Sequence, residues 1–494
     1  MKRFLTRTSA KIGRFFWSWG FLKFVLWAVT LLIFLYVEEN WRGARAWAAT
    51  KAEWEAKGEI FDPNAYFPHP VPDDRNLAAL PIFELDPDPT DAGVLVPMKL
   101  RQALSEDNHG GQLPRIGATA NEIRIGLAAV YARAFPSTKS TTDLLTQFEA
   151  LYPIIPELRA AAAVRPYCRF NQDYAKQPPM FRSFNLLTTQ IKLSQRLCLH
   201  AVIALEDNHP EIALDDIKIN YRLAAGVGHD PTLVAGLVDI GITAITRSAV
   251  NEGLARHAWS DAQLADLENE LARIDFLTRY QFTLRGETIT ETIPDYDYIK
   301  VLATRKREAA SMYGLYPGGW LDQDKSKMID FLFSELKSID PKSRRVFPDV
   351  NRQVESVVER AQALPWRLAP WNLFFVISAP TFTNLSMKFA EGQVSVDEAR
   401  IACALERYHL AQGVYPDSLD ALVPACIDEL PHDIMNGQPY HYQLRPDGTY
   451  LLYSVGWNQI DDGGKIVYKN DSPNQIDYTQ GDWVWPTPQL NPQK

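Results

Sequence analysis

The run FLKFVLWAVTLLIFLYV at residues 21–37 constrains this chain more than any other stretch, because its only charge is Lys23 at the N-terminal edge. In hydrocarbon every backbone N–H and C=O must find its partner within the segment, which leaves a helix. About 20 apolar residues cross ~30 Å of hydrocarbon. Phe15 to Val37 reaches that length if Lys23 stretches its ammonium to the headgroups. Lys2, Arg3, Arg7, Lys11 and Arg14 precede the run, and Glu38 and Glu39 follow it. The positive-inside rule then predicts residues 1–20 as a basic cytoplasmic leader, 21–37 as a single-pass transmembrane anchor, and 38–494 as exported. Two other readings remain. Ala44-Arg45-Ala46 resembles a signal-peptide cleavage site, although it lies nine residues beyond the apolar run. A buried helix would also be apolar, but Arg and Trp flanks suit an interface better.

With 494 residues, 46% apolar and 11% aromatic, the chain can bury more than one core, and two or three domains are expected. Its net charge of −9 is concentrated at the far end: residues 395–494 contain 14 acids against 6 bases. The leader holds the one basic cluster. That distribution disfavours nucleic acid, whose affinity rests on Lys and Arg neutralising phosphates. It favours cations or protein partners.

Residues 38–97 read as a helical stalk and a Pro-rich strap. WRGARAWAATKAEWEAKG continues as a helix that Gly58 stops, and eight prolines follow between Asp62 and Pro97. Interleaved Tyr66, Phe67, Leu77, Leu80, Ile82 and Phe83 predict a strap packed on the next domain, not a free linker. Residues 98–390 read as an α-helical domain, a bundle or array. In FRSFNLLTTQIKLSQRLCLHAVIALED, Leu187, Ile191, Ser194, Cys198, Ala201 and Leu205 share one helix face. LVAGLVDIGITAI at 233–245 is apolar nearly all round and too short to span, which predicts a central buried helix. APWNLFFVISAPTF should bury against the helices; the alternative is a second membrane contact. The helix-turn-helix order resembles helical-repeat proteins of the tetratricopeptide kind, without a fixed period.

Residues 395–494 predict a small α+β domain. Ser395 and Glu398 form an S-x-x-E capping box, VDEARIACALERYHLAQ supplies the helix, and Gly413 closes it. Asp417 ahead of SLDALV predicts a second short helix. PYHYQLR and TYLLYSV around Pro446-Asp447-Gly448 predict a β-hairpin. An acidic glycine loop follows. The order helix, Tyr-Pro, short helix, N-G-x-P-Y, hairpin, S-x-G, acidic loop resembles the C-terminal domain of the major pseudopilins of type II secretion systems, over about residues 395–485. The resemblance implies a periplasmic domain on a bacterial inner-membrane protein near a secretion or envelope system. It does not extend to a pilus role: Gly20-Phe21 lacks the glutamate that pseudopilins carry five residues into the mature chain.

Catalytic signatures are absent: no H-E-x-x-H, G-x-S-x-G, G-x-x-x-x-G-K-[ST], C-x-x-C or G-x-G-x-x-G occurs. The leading expectation is therefore a membrane-anchored scaffold or protein-interaction protein. The alternative is a periplasmic hydrolase-like enzyme with an acidic site where Glu287, Glu291, Asp295, Asp297 or His200 converge in the helical domain. Cys403 with Cys426, and Cys168 with Cys198, are disulfide candidates in an oxidising compartment, with free buried thiols as the alternative. The loop 454–482 is the strongest ligand candidate, since Ca²⁺ takes six to eight oxygens from a flexible cage. By the pseudopilin resemblance, Ser454, Asp461, Asp462 and Asp482 are its candidate calcium ligands. Asn458 where that family carries Asp, and Asp482 directly before Trp483, depart from the pattern. An acidic turn fixed by Asx-type bonds to its own backbone is the alternative.

Overall fold

Apolar continuity from Trp19 gives way to an amphipathic pattern near Glu38, yet nothing between them breaks a helix, and one 38-residue helix, α1 (Trp19–Ala56), results. Gly58, at φ +95°, supplies the left-handed residue that ends it. A computed structural model describes residues 19–88, 91–105, 125, 129–132, 134, 143–170, 185–304, 316–364 and 369–486. The basic cluster expected before Trp19 lies outside the described residues. The chain is mainly helical, 66% helix against 9% strand, with a small C-terminal sheet region.

Further helices are α2 (Met98–Ala103), α3 (Leu144–Leu151), α4 (Ile154–Val164), α5 (Asn185–Glu206), α6 (Pro210–Val227), α7 (Leu233–Ala255), α8 (Asp261–Ala272) and α9 (Phe276–Gly286). A π-helical turn, Glu287–Thr292, leads to α10 (Ile293–Thr304), α11 (Gly318–Glu335), α12 (Pro348–Gln362), α13 (Leu373–Ser378) and α14 (Leu385–Gln412). Two compact units form: residues 1–61, 293–331 and 356–382 make the first, and 62–292, 332–355 and 383–494 the second. Residues 395–494 fall wholly within the second unit, and residues 98–390 are shared between the two.

In the first unit, the apolar part of α1 is exposed along its whole length, whereas Glu39, Gly43, Thr50 and Trp54 further along are buried. Gly43 meets Gly319 so closely that a Cβ on it would lie 2.1 Å from the Gly319 carbonyl oxygen. Asn40 Oδ1 accepts the Gly319 N–H (2.8 Å), Gln323 donates to Glu39 (2.9 Å), and Trp54 Nε1 donates to Asp330 (2.8 Å). Asp324 accepts the N–H groups of Phe374 and Phe375 and the Tyr296 hydroxyl, fixing the start of α13. Phe375 is buried as expected for that apolar segment, while Trp371 and Ile377 are exposed.

The second unit is built on α5, α6 and α7, which pack on one another around Leu187, Ala224, Val227, Ala235, Val238 and Ile242. The expected buried helix is α7, extended to 23 residues. It and α1 are the two described helices long and apolar enough to cross a membrane, but more than half of the apolar window of α7 is covered inside this unit. The strap folds as four short 3-10 turns between Pro63 and Phe83, with Tyr66, Leu77 and Phe83 buried. Asn76 holds it by side-chain bonds to the Arg169 backbone, accepting its N–H and donating to its C=O.

Helix α14 corrects two local expectations. Because Leu385, Phe389, Ala390 and Gly392 continue its buried face, it begins ten residues before Ser395, which is therefore mid-helix and bonds Glu391 (3.3 Å) without capping anything. Its C-terminus matches: Gly413, at φ +77°, donates its N–H to His409. The short helix is a 3-10 turn, Leu419–Leu422, with Ser418 at the N-cap position and no cap from Asp417. Strands β1 (Asp86–Asp88) with β2 (Asp91–Val96) and β3 (Ile339–Asp340) with β4 (Arg345–Val346) form two-stranded ribbons. The predicted hairpin is β5 (His441–Leu444) with β6 (Tyr450–Ser454), turning at Gly448. The expected acidic loop holds an unforeseen ribbon, β7 (Ile466–Lys469) with β8 (Ser472–Gly481), before β9 (Trp483–Trp485) completes the sheet β5-β6-β9. All four cysteines are buried free thiols, so neither candidate disulfide forms. Cys198 turns its thiol to the Ile245 carbonyl, and Cys168 lies against Gly226.

Candidate functional site

Helix α14 lies against α7, α8 and α9 and also meets β6 and β9, which makes it the element on which the polar groups of the second unit converge. Its face carries Glu391, Ser395 and Glu398, spaced i, i+4, i+7 and so aligned. Glu398 is buried, and its Oε1 has no hydrogen-bond partner among the described residues. Burial drives its pKa well above the carboxylate range, against the pull of Arg247. Glu391 is raised by burial too, again opposed by Arg247. Arg247 Nη1 is itself buried, with no hydrogen-bond partner among the described residues. One step round the helix, Asp397 takes two contacts from Arg344 (3.0 and 3.2 Å) and one from Gln393 (3.0 Å).

Two cavities adjoin this face. One, of about 20 Å³, is lined by Tyr221, Arg247, Phe276, Glu391 and Ser395; the other, of about 10 Å³, by Glu391, Glu398, Tyr478, Asp482 and Trp483. Each has room for about one water. Small-molecule sites run to about 300 Å³ and more, so neither admits a substrate as it stands.

The four candidate calcium ligands divide between two local structures. Ser454 donates its hydroxyl to Asp433 (2.9 Å), whose other oxygen accepts the Val455 N–H (3.0 Å). Asp433 is fully buried, and burial raises its pKa although these bonds oppose it. Asp482, also buried, accepts the backbone N–H groups of Asp462 (3.1 Å), Gly464 (2.7 Å) and Lys465 (3.2 Å). Asp461 accepts from the Tyr453 hydroxyl and the Gly463 N–H, and that backbone bond is the first cause of its lowered pKa. Asp462 accepts from Asn458. The structure thus brings Asp482 to the backbone of Asp462 but turns Ser454 toward Asp433. Backbone N–H and hydroxyl groups donate to Asp433, Asp482 and Asp461 Oδ1, an Asx-type arrangement.

The residues of the enzymatic alternative are spread over both units. In the first, Asp297 pairs with Lys325 (2.7 Å). In the second, Glu287 accepts the Leu233 N–H (2.7 Å) and so caps α7 from 54 residues away. His200 is buried beside Phe148, with Nδ1 2.5 Å from Asp216 and Nε2 3.4 Å from Glu149. Burial works against its charge, but Asp216 and Glu149 outweigh this and raise its pKa.

No protein-family model, curated protein or solved structure matches the chain.

Asp433, Arg247 and the pair Asp397–Arg344 were not anticipated from sequence. The i, i+4, i+7 spacing of Glu391, Ser395 and Glu398 was available as a signal, and reading Ser395 as a cap hid it. Asp433 meets Ser454 across 21 positions, and nothing local foretells that.

Proposed function

We propose that this chain is a single-pass protein of the bacterial inner membrane, N-terminus cytoplasmic, that holds both folded units in the periplasm as a scaffold for protein partners. Helix α1 is the observation that carries the reading. Its first half is exposed and apolar, and its second half is locked into the first unit through Glu39, Asn40, Gly43 and Trp54. A cut after Ala46 would sever the helix between Gly43 and Trp54, both buried, so an uncleaved anchor is favoured over a signal peptide. The pseudopilin likeness of residues 395–485 extends the proposal to an envelope or secretion assembly. Calcium at Ser454, Asp461, Asp462 and Asp482 belongs to that extension, and it would require Asp482 to exchange backbone N–H groups for the ion. The competing hydrolase reading gains nothing from Asp297, Glu287 and His200, each engaged in separate surroundings.

The test is topological. A reporter active only outside the cytoplasm, fused after Lys494, should be active, and the protein should stay with membranes through a carbonate wash. Release by carbonate, or an inactive reporter, refutes the proposal.

A further inference from the structure

The C-terminal turns of two helices bring together three side chains that the scaffold reading does not use. His257 follows α7 at φ +51°, the left-handed position just past a helix end, and its N–H bonds the Leu254 carbonyl. That backbone turn sends its imidazole toward α14. There Glu406 and His409 stand three residues apart and so share a face. His257 Nδ1 is 2.6 Å from Glu406 Oε1, and Tyr415 donates its hydroxyl to Glu406 Oε2 (3.0 Å). The rings of His257, His409 and Tyr415 stack in series, with centroids 5.0 and 4.7 Å apart. Among the described residues, buried His409 Nδ1 has no hydrogen-bond partner. A ligand atom from each of His257, Glu406 and His409 lies within 4.8 Å of the other two.

We propose that His257, Glu406 and His409 form a binding site for a divalent transition-metal ion of the zinc type. The donor set decides the class: two imidazoles and one carboxylate suit Zn²⁺ and its neighbours, whereas Ca²⁺ and Mg²⁺ prefer oxygens alone. The orphaned His409 nitrogen gives the argument a second footing. A buried ring nitrogen without a hydrogen-bond partner is costly, and coordination through it would satisfy it. Glu406, nearly fully buried, supplies the negative charge and is held in place by Tyr415. A tetrahedral shell with bonds of about 2.1 Å sets ligand atoms about 3.4 Å apart. His257 Nδ1 and Glu406 Oε1, now 2.6 Å apart, must therefore open slightly, while the widest separation, at most 4.8 Å, closes. His257, with its side chain half exposed, is the member free to swing. Bound metal would clasp the end of α7 to α14 and leave a fourth position on the solvent side, for water or a partner's side chain.

The test uses the full chain in detergent after chelator treatment, with Zn²⁺ and Co²⁺ as probes. Calorimetry should give one Zn²⁺ per chain, Co²⁺ should develop visible d–d bands on binding, and the melting temperature should rise with Zn²⁺. His257→Ala and His409→Asn should each weaken binding at least about tenfold, which corresponds to 1.4 kcal/mol. His257→Ala also removes a partner of buried Glu406, so the deciding readout is the Zn²⁺-induced rise in melting temperature over the same protein in chelator, present in wild type and absent in the variant. Glu406→Gln should keep the Tyr415 bond and lose the metal. A wild-type chain that binds no Zn²⁺, or one whose binding survives His257→Ala and His409→Asn unchanged, overturns the proposal.

Discussion

Glu335 offers a quantitative check on how the second unit tolerates buried acid. It ends α11, is 2% exposed, and accepts a bond at Oε2 from Asn351 Nδ2 (3.0 Å); Oε1 has no hydrogen-bond partner among the described residues. Burial is the leading cause that pushes its pKa from 4.5 up to about 8, the Asn351 bond opposing. The native state therefore keeps this proton at pH 7 while the unfolded chain has released it. Between pH 4.5 and 8 the unfolded state binds one proton fewer, so stability falls as pH rises, by about 1.4 kcal/mol per unit, and levels off above the folded pKa. At pH 7 the accumulated penalty is about 3 kcal/mol. Glu335→Gln keeps an acceptor for Asn351 and removes the titration. Melting followed by intrinsic Trp fluorescence, full chain in detergent, should show wild type and variant nearly equal near pH 4.5. The variant should melt a few degrees higher at pH 7, and the gap should stop growing above pH 8. A variant less stable than wild type at pH 7, or a gap independent of pH, would refute the reasoning.

Two further perturbations probe the anchor junction and the loop. Gly43→Val places carbon where the Gly319 carbonyl already stands, so unit-one stability should drop by about 1–3 kcal/mol or more, and protease should cut α1 beyond Glu39 sooner; unchanged proteolysis contradicts the close crossing. Asp482→Ala removes the acceptor of three backbone N–H groups at roughly 1 kcal/mol each, and should expose residues 461–465 to protease. In the wild type, a melting temperature raised by millimolar Ca²⁺ and insensitive to it after Asp461→Ala with Asp462→Ala would support the calcium role. No response would leave Asp482 to the backbone alone.

What the sequence disclosed was mostly local. Gly58 and Gly413 mark real helix ends because glycine readily takes the left-handed conformation that closes many helices, and Gly448 takes it in the hairpin turn. Ser395 misled because a capping box and a buried polar helix face share one spacing, and only the apolar residues from Leu385 onward decide between them. The unit division was illegible, since residues 293–331 and 356–382 join α1 through contacts hundreds of positions apart, such as Trp54 with Asp330. For the same reason the site residues stayed hidden: Asp433 needs Ser454, and His257 needs Glu406 149 positions later.

The central claim, an uncleaved anchor continuous with the folded body, is tested most directly by the intact mass of the protein extracted from membranes. The account predicts a mass that retains Trp19 through Ala46, together with the rest of α1. A mature product that begins just after Ala46, recovered as a folded soluble protein, would contradict it.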